Sequence, residues 1–127
     1  MDEIFVPFEI ATKLKDIGFN KKCVTFYNKW EELNRSDDWS IGYTIDDLVK
    51  YHKYPTNCLA PTWEQAINWL RTEKNIYIEL GANFSAKNWE FLIAKLWEKG
   101  TGSYYHGYSY EEARKQSILK AIELITK

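Results

Sequence analysis

The stretch that decides the fold is Ala60-Pro61-Thr62-Trp63-Glu64-Gln65-Ala66-Ile67-Asn68-Trp69-Leu70-Arg71, which indicates a helix with a clear beginning. Thr62 suits the N-cap, because its hydroxyl can accept a hydrogen bond from a backbone N–H of the first turn. Gln65, three residues later, can reach back to the Thr62 N–H and complete a capping box. The helix is predicted over Thr62–Lys74, with Asn75 in the left-handed position beyond its end.

One face of this helix is apolar. Trp63, Ala66, Ile67 and Leu70 repeat at the spacing i, i+3, i+4, i+7, and Trp69 lies near the edge of the stripe. Aromatic side chains at helical spacing usually pack in the core, so both tryptophans are predicted to be core and rim residues. The alternative is that one of them lines a groove that binds a partner.

Two more helices flank this one in the chain. Pro7 can occupy the first position of a helix over Pro7–Ile17, which Gly18 ends in a Schellman motif with Phe19. Ser109 can cap a last helix over Ser109–Ile125. A short helix is predicted over Thr44–Tyr51, where Asp46 and Asp47 suit the first turn.

Strands are indicated by β-branched and aromatic runs between these helices. Cys23–Tyr27 is predicted to pair with Trp39–Ile45, and Trp30 can extend the first of these strands. Asn75–Leu80 and Ser103–Tyr108 also alternate as strands do. The expected fold is α+β, a single domain over residues 1–127 with an antiparallel sheet packed against about three helices.

Trp89–Trp97 fits two interpretations. As a helix it shows an apolar stripe at Trp89, Leu92, Ile93, Leu96 and Trp97, and as a strand it is apolar on both faces. Periodicity alone favours the helix. The turn signal Lys99-Gly100-Thr101-Gly102 and the following strand favour a strand that serves as a partner.

Composition indicates an ordered domain without a strong electrostatic field. The chain has 127 residues, a net charge of −1 and 17% aromatic residues. Near-neutral charge does not favour nucleic acid or an acidic membrane, and no apolar stretch reaches membrane-spanning length. The N-terminus has no export signal, so a cytoplasmic location is expected, with Cys23 and Cys58 reduced and buried.

No catalytic motif, metal spacing or cofactor loop occurs, and the chain is predicted not to be an enzyme. Asp37-Asp38 and Asp46-Asp47 are interpreted as turn and helix-start carboxylates, since no His or Cys lies at ligand spacing around them. For His52 and His106, nothing in the sequence indicates a nucleophile or carboxylate within reach.

Several segments together resemble a known group of proteins. They are Phe8-Glu9-Ile10-Ala11, Leu14-Lys15, Gly18-Phe19, Ala60 to Ala66, Trp69-Leu70-Arg71, Ser109-Tyr110-Glu111-Glu112-Ala113 and Ala121-Ile122. The group consists of small uncharacterised proteins encoded in phages and other mobile elements of gut-dwelling anaerobic bacteria. The resemblance supplies a context and no catalytic residue, and it implies a strand pair before the last helix, which decides for a strand over Trp89–Trp97. The last helix start also resembles small antitoxin domains of the partial RNase-H type, over Tyr108–Ala121 only.

The candidate recognition surface is the tyrosine cluster Tyr104, Tyr105 and Tyr108, with Trp30 and Trp39 as further candidates. If the cluster lies on an edge strand, it offers a site for strand addition or for a homodimer. The alternative is that alternate tyrosines pack on the core. A protein-binding accessory protein is the favoured hypothesis, and a small nucleic-acid-binding or antitoxin-like domain is the other. Exposed Lys and Tyr on one sheet face would favour the latter.

Overall fold

The computed structural model describes residues 4–35, 42–52 and 57–126. In these ranges it contains four helices and two three-stranded antiparallel sheets, which confirms the predicted α+β class. Two compact units, Met1–Gln65 and Ala66–Lys127, each hold one sheet. The single-domain organisation stays a prediction. In chain order the elements are α1 (Phe8–Asp16), β1 (Thr25–Tyr27), β2 (Leu33–Arg35), α2 (Ile45–His52), β3 (Cys58–Leu59), α3 (Trp63–Lys74), β4 (Ile76–Asn83), β5 (Asn88–Lys95), β6 (Ser103–Tyr108) and α4 (Tyr110–Thr126).

The first helix ends as its sequence predicts. Gly18 has a φ of 97°, and its N–H donates to the Lys15 carbonyl at 3.0 Å. The Phe19 N–H donates to the Leu14 carbonyl at 2.9 Å, which completes the Schellman motif. At the other end Pro7 is the N-cap rather than the first helical residue, and its carbonyl accepts the first helical hydrogen bond.

The first sheet has the order β2-β1-β3, with every side chain of β1 buried. Of the predicted partner of β1, Trp39–Ile45, residues 39–41 lie outside the described residues. Tyr43 forms an isolated antiparallel bridge with Cys23, and Ile45 begins α2. The described partners of β1 are β2 and β3, through the pairs of Phe26 with Asn34 and with Leu59. The segment between the two predicted strands therefore supplies a strand of its own, β2.

An Asn-centred turn explains this difference. The Asn28 side-chain oxygen accepts from the N–H groups of Trp30 and Glu32, at 2.9 and 3.0 Å. Glu31 has a φ of 62° in the same turn. The chain therefore reverses directly after β1, and the prediction that Trp30 extends the strand is wrong.

The central helix α3 begins at the predicted cap. The Gln65 N–H donates to the Thr62 hydroxyl at 3.1 Å. The Gln65 side chain is used elsewhere, because its amide nitrogen donates to the Lys22 carbonyl at 2.9 Å and its oxygen lies 3.8 Å from the Cys23 sulfur. The Gln65 side chain thus does not complete the predicted capping box but contacts residues 22–23 instead.

The apolar face of α3 is rotated relative to the prediction. Ala66, Trp69 and Leu70 are its buried residues, whereas Trp63 is only half-buried. Trp69 rather than Trp63 is therefore the core tryptophan of this helix. Asn75 follows the helix with a φ of 55°, as predicted for the left-handed position.

The second sheet has the order β4-β5-β6 and carries α4 on one face. Its core consists of Phe91, Ile93 and Ala113, packed with the partly buried Ile78, Leu80, Trp89, Tyr105 and Tyr108. The strand interpretation of Trp89–Trp97 is confirmed over Asn88–Lys95, with Trp97 in the following turn. Helix α4 begins at the predicted cap, since the Glu112 N–H donates to the Ser109 hydroxyl at 3.2 Å.

Candidate binding surface

Strand β6 lies at an edge of its sheet. It pairs with β5 through Phe91 with Tyr105 and Leu92 with Tyr104, and no other described strand pairs with it. In an edge strand, alternate N–H and C=O groups point away from the neighbouring strand and can pair with another chain. The strand contains no Pro, Lys, Arg, Asp or Glu, although natural edges commonly use such residues to prevent pairing.

A bulge at Gly107 decides which tyrosines face the core. Trp89 of β5 pairs with Tyr108, and the next pair along the ladder involves His106, so Gly107 is an extra residue. Its φ of 90° lies in the region that glycine adopts without strain. The extra residue returns Tyr108 to the face that Tyr105 occupies, although the two are an odd number of residues apart.

Tyr105 and Tyr108 lie on the side of the sheet that carries α4. The Tyr105 ring stacks on Phe91 with centroids 4.8 Å apart, and the Tyr108 ring lies 5.6 Å from the same centroid. The Lys120 ammonium sits 5.5 Å from the centre of the Tyr105 ring. Two of the three predicted surface tyrosines thus contribute to packing, while Tyr104 on the opposite side is 73% exposed.

We call the sheet side opposite α4 the outer face. The register places Leu92 between Glu79 and Tyr104, and places Glu90 beside His106. Of the outer-face side chains, Glu79 and His106 are also exposed. The strand residues of the outer face are Tyr77, Glu79, Gly81, Asn83, Asn88, Glu90, Leu92, Ala94, Tyr104 and His106.

The outer face is acidic. Glu79 and Glu90 are its acidic strand residues, and none of its strand residues is Lys or Arg. The Tyr77 hydroxyl donates to the Glu79 carboxylate at 2.8 Å, and this hydrogen bond raises the pKa of Tyr77. The Glu90 carboxylate makes no hydrogen bond or ion pair with another side chain in the described part of the chain. Glu90 is therefore the carboxylate that a bound cation can approach.

Two aromatic side chains in the turns of this sheet are almost fully exposed. Phe84, between β4 and β5, and Trp97, between β5 and β6, are each 89% exposed. Trp97 also has a φ of 68°, which is unfavourable for a bulky residue. The Trp97 side chain therefore contributes nothing to the core of this unit.

The tryptophan candidates belong to the N-terminal unit of the chain. Trp30 is 63% exposed at the tip of the β1–β2 hairpin, with the Lys29 ammonium 4.4 Å from its ring centroid. Trp39 lies outside the described residues.

In the described ranges, no group of three or more His, Cys, Asp or Glu residues is arranged to hold a metal ion. Asp47 accepts from the N–H and the hydroxyl of Thr44, at 2.9 and 3.1 Å, which lowers the pKa of Asp47 and fixes the start of α2. Asp37 and Asp38 lie outside the described residues.

Both cysteines are free and buried, as predicted. Burial raises the pKa of Cys23 to about 12 and that of Cys58 to about 11. Neither thiol is therefore ionised at neutral pH, and neither is suited to act as a nucleophile.

Sequence reasoning found the tyrosine strand but missed the acidic outer face beside it. The alternation of Ile76–Leu80 does place Tyr77 and Glu79 on one face, so the contribution of β4 to the outer face could have been found from the sequence. The position of Glu90 beside β6 depends on the register between β5 and β6, which local patterns do not determine.

No protein-family model matches the sequence, and comparisons with curated proteins and with solved structures also find no match. Within the described residues, no helix is both long and apolar enough to span a membrane. The geometry of the β6 edge and the outer face is thus the basis for a functional assignment.

Proposed function

We propose that this chain is a non-catalytic binding protein that captures an extended segment of a partner protein by strand addition at β6. The supporting observation is that β6 pairs with β5 alone among the described strands and shows Tyr104 73% exposed. Main-chain hydrogen bonds supply affinity in this mode of recognition, and alternate side chains supply specificity.

The charge of the outer face favours a protein partner over nucleic acid. A nucleic-acid surface needs cations beside its stacking aromatics, but Tyr77 and Tyr104 are accompanied here by Glu79 and Glu90. Phosphates would be repelled by these carboxylates. The buried free thiols suit the reducing cytoplasm, which we include in the proposal. The phage or mobile-element context stays a prediction.

The test is a selection from a library of random linear peptides, with wild-type protein as bait. Amide chemical shifts of the selected complexes then locate the site. We expect the changes to concentrate in residues 103–106 and on β5. Single-stranded oligothymidine serves as the nucleic-acid control and is expected to leave the β6 amides unchanged.

Tyr104→Ala is the matched variant, because it removes the exposed ring without touching the Phe91 stack. It should weaken the selected peptides while the protein stays folded. Peptides whose shifts map away from β6, or a selection that yields no binder, would refute strand addition. Tighter binding of the oligonucleotide than of any peptide would establish the alternative class.

A further inference from the structure

The two sides of strand β6 differ in charge. On the outer face, Glu90 lies beside His106 and carries a carboxylate without a cationic partner in the described chain. On the α4 side, Lys120 lies over the Tyr105 ring at 5.5 Å and is paired with the Glu123 carboxylate at 3.8 Å. A strand added at β6 would thus meet, on the outer face, a carboxylate unpaired within the described residues and, on the α4 side, a cation that is already paired with Glu123.

Strand geometry determines what the anion can contact. Neighbouring strands lie about 4.8 Å apart, so an added strand would lie about 10 Å from the backbone of β5, which carries Glu90. A Lys or Arg side chain on the added strand can cross β6 and meet the Glu90 carboxylate. On its way it would pass the exposed face of Tyr104, whose ring attracts a cation.

We propose that the partner segment carries lysine or arginine at alternate positions, directed to the outer face, and uncharged residues at the positions between them. This proposal rests on strand addition at β6 and adds the chemistry of the partner. Uncharged residues fit the intervening positions because the Lys120 cation on that side is already paired with Glu123.

A second copy of this chain does not fit the same chemistry. Strand β6 is Ser103-Tyr104-Tyr105-His106-Gly107-Tyr108 and brings no Lys or Arg. Pairing of two copies through β6 would leave both Glu90 carboxylates without a cation, so a different protein is the expected occupant.

The probes are two synthetic peptides of about eight residues, the length of a common strand. One alternates lysine with threonine, and the other alternates glutamate with threonine. Calorimetry at low salt measures affinity, and amide shifts locate the site. We expect the lysine peptide to bind at β6, to weaken as salt rises, and to bind more tightly than the glutamate peptide.

Backbone methylation tests the pairing itself. Two further lysine peptides carry N-methyl groups either on every lysine or on every threonine. Because successive N–H groups of a strand point to opposite edges, only one of these peptides loses the bonds to β6. We expect one methylated peptide to bind like the parent and the other to lose binding.

Two variants on the outer face distinguish a specific ion pair with Glu90 from a general effect of the negative charge of this face. Glu90→Gln should weaken the lysine peptide about fivefold at low salt, as for loss of one exposed ion pair. Glu79→Gln is the matched control and should change affinity less than about twofold. Glu79 lies one strand farther from the edge and already accepts from Tyr77.

The outcomes distinguish this inference from the function on which it rests. Equal affinity for both peptides, or equal effects of the two variants, would overturn the basic partner while β6 remained the site. Absence of lysine-peptide binding would also overturn it. The random-peptide selection then decides separately whether strand addition at β6 occurs. If the protein dimerises and the dimer competes with the peptide for β6, the occupant of this edge is a second copy of the chain and not a basic partner.

Discussion

Replacing Tyr105 with Ala tests the division of the tyrosines between the two faces of the sheet. The ring stacks on Phe91 at 4.8 Å with an interplanar angle of 16°, and the side chain is half-buried. Loss of a fully buried aromatic costs about 3–5 kcal/mol, so half-burial predicts roughly half of that. The stacked pair adds about 0.5–1.5 kcal/mol. The expected loss of unfolding free energy is about 2–4 kcal/mol.

The neighbouring Tyr104→Ala variant is the matched comparison, with the same chemical change one residue away. Tyr104 is 73% exposed and lies across from Leu92. An exposed cross-strand pair contributes about 0.2–1 kcal/mol, so the expected loss is about 0.5 kcal/mol. Tyr105→Phe keeps the stacked ring and should remain close to wild type.

Urea denaturation followed by circular dichroism and scanning calorimetry measure these losses. At this chain length about 1 kcal/mol lowers Tm by about 4 °C, so Tyr105→Ala should lower it by about 8–16 °C and Tyr104→Ala by about 2 °C. If Tyr104→Ala costs as much as Tyr105→Ala, the register that pairs Tyr104 with Leu92 is wrong. Tyr104 would then belong to the core, and the binding surface would lose its central side chain.

The other predictions concern the helix cap, the bulge and the thiols. Thr62→Ala removes the acceptor of the Gln65 N–H and should cost about 1 kcal/mol in denaturant unfolding, which Thr62→Ser should largely restore. Gly107→Ala should cost about 1–2 kcal/mol from its φ of 90° alone, because the added Cβ meets no atom within 4 Å; an unchanged Tm would contradict the bulge. A thiol reagent should label Cys23 and Cys58 slowly in the native protein and both fully after denaturation without reductant. Burial raises both pKa values above the ordinary 9.0, so only the unfolded chain releases these protons just above that pH. Stability should therefore be full below about pH 9 and fall as the pH rises toward about 11–12, which denaturation at a series of pH values measures.

Features that depend on three or four neighbouring residues were predictable from the sequence. The Schellman motif at Gly18, the Thr62 and Ser109 caps and the left-handed Asn75 all occur where predicted. Each is decided by backbone geometry and by one side chain within a turn, so local sequence contains the necessary information.

Features that depend on residues far away in the chain could not be predicted from local sequence. Trp89–Trp97 has a helical stripe, but Phe91 and Ile93 become buried as alternate strand residues against Ala113 of α4. The choice between helix and strand thus depends on a residue about twenty positions away in the chain. The burial of Trp69 rather than Trp63 on α3 also depends on tertiary packing, which the local sequence does not determine.

The binding surface combines both kinds of information. The tyrosine run identified β6, but the register with β5 decided that Tyr104 faces outward while Tyr105 faces α4, and the bulge returned Tyr108 to the α4 side. The sequence contained Gly107 as a hint of irregularity in the strand, since an isolated Gly within a strand pattern often marks a bulge.

The position of the bulge also determines where a partner can pair. Bulges disrupt the ladder locally and twist the edge, so pairing is disfavoured around Gly107. The regular part of the edge that remains is the beginning of β6, from Ser103 to His106. Tyr104 lies within this part, and Glu90 lies directly behind its last residue. The portion of β6 best suited to accept another strand is therefore the portion beside the unpartnered carboxylate. Backbone pairing and charge recognition would then act on the same few residues of a basic partner.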